Sequence, residues 1–141
     1  MTMGRGVTLR YPCRAESVPT ARRKLEAELR HHHIDPDLVE RLVLATAEAC
    51  NNAITHSHCA TFVITVAVLP GQCSITVVDS GGGFDVPDRF EMPEPTEISR
   101  RGLALMTALV DRVEVTSTTA GTTVQLRQPL TARIAQAVAA S

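Results

Sequence analysis

A chain of 141 residues is long enough to bury one hydrophobic core and short for two. Aromatics are scarce, with no Trp, one Tyr and three Phe, so that core must be built from Val, Leu, Ile and Ala. A formal charge of −1 excludes nucleic acid held by a general electrostatic field, and no apolar run is long enough for a secretory signal or a bilayer span.

Gly6 to Tyr11 alternates as a short strand. Ser17 and Thr20 offer helix caps around Pro19, and the segment to about Arg30 reads as a first, charged helix. Asp35-Pro36 supplies an N-cap and a first-turn proline for a long helix, Pro36 to His56. In it Leu38, Leu42, Val43, Ala49, Ala53 and Ile54 fit an amphipathic period, and Val39, Leu42, Val43, Cys50 and Ile54 share one broad side. Glu48, Asn51, Asn52 and Thr55 fall on the other, with Glu48 and Asn52 one turn apart. A solvated face is normally rich in Lys and Glu; this one sets a lone acid among amides. A carboxylate can take a proton from a nucleophile, and an amide oxygen one turn along can ligate a hard cation such as Mg²⁺.

Thr61 to Leu69 and Gln72 to Asp79 are β-branched, alternating runs joined by Pro70-Gly71, the pattern of a β-hairpin. Asp79-Ser-Gly81-Gly82-Gly83-Phe84 follows the second run. Its glycines allow positive φ and close backbone approach, and Asp79 can accept from an exocyclic amine. Val86 to Ser99, with Pro87, Pro93, Pro95 and several acids, has no period and reads as a loop. Leu103, Met106, Leu109 and Val110 give Arg101 to Asp111 helical spacing. Two arginines and a glycine at the start of that helix can offer free backbone N–H groups and positive charge to phosphates. Without an anion, positive charge is unfavourable at that end. Strands near Val113 to Ser117 and Thr122 to Arg127 follow, joined by a turn at Ala120-Gly121. Helix pairs alternating with hairpins predict an α+β, two-layer sandwich, a mixed, mostly antiparallel sheet covered on one face by helices.

Cys13, Cys50, Cys59 and Cys73 form no C-x-x-C pair and suit reduced thiols, with Cys50 on the apolar side of its helix. His31-His32-His33 sits where a helix ends, and histidine there complements the dipole without a metal. His56, His58 and Cys59 are zinc-type ligands, but no second ligand pair follows at a suitable spacing.

Glu48-x-x-x-Asn52-Ala-Ile-x-His56, Asp79-x-Gly81-x-Gly83, Arg101-Gly102-Leu103 and Gly121-Thr122-Thr123-Val124 stand in the order and spacing of the GHKL ATPases. The resemblance runs from about Gly6 to Pro129. In its size the chain resembles most the bacterial anti-sigma-factor serine/threonine kinases, which have the Bergerat nucleotide fold. The resemblance implies ATP and Mg²⁺ as ligands, with Glu48 the general base for a protein hydroxyl and Asn52 the Mg²⁺ ligand. Asp79 then reads the adenine amino group, with Gly81 and Gly83 shaping the pocket. Arg100 or Arg101, Gly102 and Leu103 close over the phosphates, and Thr123 supports the adenine side. Spacing leaves open which arginine contacts phosphate. Two departures stand out: Ala104 where the family often has a second glycine, and Asn51 where it often has threonine.

The resemblance further implies an anti-sigma factor that phosphorylates a small anti-anti-sigma antagonist and sequesters a sigma factor, as a homodimer; charge and the apolar pattern add the expectation of a cytoplasmic protein without membrane or direct nucleic-acid contact. The expected layout is a kinase domain over 6–130 and a tail over 131–141. Two other readings compete. One is a nucleotide-dependent interaction module without phosphotransfer, which would have no need of a base at Glu48. The other is the catalytic half of a split histidine kinase, for which the chain lacks a phosphorylatable helical partner.

Overall fold

A computed structural model describes residues 5–56, 60–79, 97–118 and 121–130. In chain order the elements are β1 (Arg5–Pro12), α1 (Ser17–His31), α2 (Pro36–His56), β2 (Thr61–Leu69), β3 (Gln72–Asp79), α3 (Glu97–Leu109), β4 (Arg112–Thr118) and β5 (Gly121–Pro129). The strands form one sheet in the order β1-β2-β3-β5-β4. The α+β sandwich expected from the sequence is the fold observed. Every pairing among the described residues is antiparallel, so the parallel component of a mixed sheet is not found there. The reason lies in the order: β5 inserts between β3 and β4, so the β3–α3–β4 crossover skips a position and its two strands never pair.

The alternation read in the sequence decides which face is covered. Phe62, Ile64 and Val66 of β2, Cys73, Ile75 and Val77 of β3, and Val124 and Leu126 of β5 are all buried. Their register partners keep them on one face, against the helices. The intervening positions Val63, Thr65, Ser74, Thr76, Thr123 and Gln125 make the other face, half-buried and mostly polar. α2 lies across β3 and β5 with α1 and α3 on either side, which explains why both of its flanks contribute to the core. Leu25, Leu29, Val39, Leu42 and Met106 meet there, each at most 1% exposed. Tyr11 of β1 covers one end of this core, its ring centroid 5.9 Å from that of Phe62.

Local signals set the element ends. The backbone N–H of Val39 donates to the Asp35 carbonyl at 2.9 Å, so α2 starts at its proline as the Asp-Pro pair implies. Gly71 takes a φ of 85°, the left-handed conformation that its two-residue hairpin turn requires. α1 is closed by His33 at a φ of 60°, whose N–H donates to the Arg30 carbonyl at 2.9 Å. His32 Nε2 lies 3.4 Å from Glu28 Oε2. The histidine run therefore ends a helix, and no group of three metal-ligating side chains occurs among the described residues.

Three expectations need correction. Ser17 does not cap α1: its hydroxyl donates to the Pro12 carbonyl at 2.7 Å, tying the helix start to the end of β1. α3 starts at Glu97 rather than near Arg101, so the last residues assigned to the proline-rich loop are helical. Cys13 is held in a disulfide, unlike the buried, free Cys50 and Cys73. The Cys13 N–H donates to the carbonyl of Ala60, next to β2, at 2.9 Å. His58 and Cys59, Gly81 and Gly83, and the tail over 131–141 lie outside the described residues.

Candidate active site

α2 turns its apolar side into the core and leaves a short polar stripe near its C-terminal half. Val39, Leu42, Val43, Ala49, Cys50 and Ala53 are buried. Glu48 and Asn52 are half-buried, whereas Asn51 and Thr55 are exposed. Thr46, buried on the same helix, donates its hydroxyl to the Leu42 carbonyl at 2.7 Å and is thereby satisfied within the helix. Of the four polar residues on the stripe, Glu48 and Asn52 are the pair drawn inward.

What draws them inward is α3. Gly102, Met106 and Val110 repeat every four residues and are all buried, a stripe that turns toward the core and α2. A Cβ on Gly102 would stand 2.8 Å from Asn52 Nδ2, 3.3 Å from Glu48 Oε2 and 3.4 Å from Asn52 Oδ1. The acid and the amide thus converge on one bare backbone position of the neighbouring helix.

Because α3 begins at Glu97, Gly102 is its sixth residue, and its N–H belongs to the helical ladder. The expectation that Arg101-Gly102-Leu103 opens a helix with free N–H groups is therefore corrected: that segment is helix interior. Arg101 and Ala104 are exposed and Leu103 is half-buried; Arg100 lies one residue before them in the same helix. The sequence hid this start because Glu97-Ile-Ser-Arg follows prolines and extends the apolar period weakly. One more step of four beyond Val110, Met106 and Gly102 reaches Ile98, and that was the available signal.

Asp79 ends β3 on the helix-covered face and is 5% exposed. Its Oδ1 accepts from the Thr122 backbone N–H at 3.3 Å. Thr122 is also its register partner, and the Thr122 and Ser117 hydroxyl oxygens lie 3.1 Å apart. Thr123, named from the sequence, pairs with Val78 on the opposite face, so it does not join Asp79. Thr122 is the threonine that the register sets beside Asp79. Counting back by two from the buried Leu126 and Val124 places Thr122, not Thr123, on the covered side.

A hard cation fits this set only in company. The Glu48 carboxylate and the Asn52 amide oxygen are hard donors, but they are too few for a protein-only cage. Mg²⁺ suits such a site, since it is usually held by one or two protein oxygens together with ligand phosphates and water. Cys50 and Cys73 take no part: burial pushes both thiols up to about 12, far from a reactive thiolate.

The acid–amide pair of the central helix and the buried aspartate at the end of β3 thus lie on the same, helix-covered face of an antiparallel sheet, in an α+β domain. The chain belongs to the histidine kinase-like ATPase domain family, whose pattern matches residues 11–128. It is 31% identical over 122 residues to the serine-protein kinase RsbW of Bacillus licheniformis, covering 77% of this chain and 76% of that one. In structure it resembles a Mycobacterium tuberculosis protein solved as its RsbU and RsbW domains, with a TM-score of 0.71 over 89% of this chain. At 21% identity that likeness shows the fold, and the chain spans about a third (32%) of the neighbour's length. A blue-light activated histidine kinase of Erythrobacter litoralis is a more distant likeness, with 25% identity and a TM-score of 0.51 over 69% of this chain and 32% of that one.

Proposed function

We propose that this protein is an ATP- and Mg²⁺-dependent serine/threonine-protein kinase of the anti-sigma-factor type. It phosphorylates a small anti-anti-sigma partner and sequesters a sigma factor. The observation that carries the reading is the convergence of Glu48 and Asn52 on Gly102, with Asp79 on the same face of the sheet. A relative of similar length that is named a serine-protein kinase supports the choice of acceptor.

In this reading Asp79 accepts from the adenine amine, supported by the Thr122 N–H that already holds its carboxylate. The family resemblance assigns Gly81 and Gly83 to shaping the pocket for the base, and Arg100 or Arg101, with Leu103, to closing over the phosphates. Asn52 holds the Mg²⁺, which when bound neutralises charge on the phosphate oxygens. The acceptor hydroxyl oxygen bonds to the γ-phosphorus as the bond to the ADP oxygen breaks, and Glu48 takes the hydroxyl proton. The domain over 6–130 carries this chemistry, 131–141 is a tail, and the protein acts as a cytoplasmic homodimer.

Phosphorylation couples the two activities. An antagonist that has received phosphate is released, and the kinase is then free to hold the sigma factor. Incubation with labelled ATP, Mg²⁺ and a small anti-anti-sigma protein tests the reading. Acid-stable phosphate on serine or threonine of the partner is expected. Acid-labile phosphohistidine would move the protein to the histidine kinases, and nucleotide-dependent binding without transfer would leave an interaction module.

A further inference from the structure

We propose, resting on the nucleotide reading above, that Gly102 is a positioning residue for the cation ligand and the base. Its role lies in the missing side chain, because its N–H is taken up by α3. The bare Cα lets α3 approach α2 closely enough to hold the ends of Asn52 and Glu48. Asn52 Nδ2 and Oδ1 and Glu48 Oε2 all lie within 3.4 Å of the place where a Cβ would stand. Contact with Gly102 selects among the rotamers open to these two half-buried side chains, so the position of α3 bears on both functional groups at once. Any shift of α3 on nucleotide entry then resets the ligand and the base together.

A Cβ at Gly102 separates this role from a purely structural one. The atom it would meet at 2.8 Å is the tip of the Asn52 side chain, not backbone. Asn52 can swing aside, and alanine has the better helix propensity, so Gly102→Ala keeps α3 folded while displacing the amide. The affinity of a non-hydrolysable ATP analogue is measured by calorimetry in MgCl₂ and in EDTA, for the wild type, Gly102→Ala, Asn52→Ala and the double variant. Gly102→Ala is expected to lose about 10-fold or more in MgCl₂, as when a group that orients a metal ligand is disturbed. In EDTA its loss should be much smaller than in MgCl₂. In the Asn52→Ala background, where the amide is already gone, Gly102→Ala should add no further loss.

Equal loss in both buffers, no loss in either, or additive losses in the double variant would overturn the positioning role. Thermal unfolding of the same four proteins covers the case in which Gly102→Ala does not fold. Restoration of folding by adding Asn52→Ala supports the contact, and failure of both variants to fold overturns it. Absence of analogue binding by the wild type is a separate result and would overturn the nucleotide reading itself.

Discussion

The backbone N–H of Thr122 donates to Oδ1 of Asp79 at 3.3 Å, joining two residues 43 positions apart across β3 and β5. The bond fixes a 5%-exposed carboxylate at the edge of the helix-covered face, where one oxygen is held by backbone. A buried acceptor oriented in this way can discriminate between bases by the amine that it receives.

Asp79→Asn should therefore weaken ATP more than GTP. The lost interaction is acceptance by a charged oxygen, worth about 1.5–3 kcal/mol. Calorimetric titration of both nucleotides checks this, and equal losses would remove the adenine-reading role.

Ala104 is exposed in the interior of α3, where the family often has a second glycine. Ala104→Gly should cost about 1 kcal/mol of stability through helix propensity alone, lowering the melting temperature by about 3–4 °C. Differential scanning calorimetry would show it. An unchanged melting temperature would mean that α3 does not contribute its helix to global stability.

Burial raises the Cys50 and Cys73 thiols from 9.0 to about 12. A thiol that stays protonated longer in the fold stabilises it fully below pH 9.0, and that contribution is lost as pH rises toward about 12. Tyr11 adds in the same direction, raised by desolvation and then by the charge of Cys50. Urea midpoints should fall across this window, and fall less steeply in a Cys50→Ala/Cys73→Ala double variant. Identical slopes would show that the thiols are not the cause.

Much of this architecture is legible from residues. Asp35-Pro36 and the apolar period gave the bounds of α2, and β-branched alternation around Pro70-Gly71 gave those of β2 and β3, because each is a local signal. What escaped depends on contacts between distant segments. Thr122 and Thr123 are chemically alike, and only strand register decides which one shares a face with Asp79. The hydroxyl of Ser17 turns to Pro12 instead of capping its helix, a choice set by how α1 docks on β1. Gly102 looked like a phosphate-loop glycine, and its burial against Asn52 emerges only when α2 and α3 pack.

Glu48→Gln is the most direct test of the kinase reading. The substitution keeps the shape and hydrogen-bonding reach of a side chain packed at Gly102 but cannot accept a proton at neutral pH. The decisive measurement is the rate of phosphate transfer to the anti-anti-sigma partner at saturating Mg²⁺ and ATP, with ATP affinity measured in parallel. Transfer should fall by about 10²–10⁴-fold, the range of a positioned general base, while ATP affinity and partner binding stay near the wild type. Transfer at the wild-type rate would contradict the assignment of Glu48 as the base.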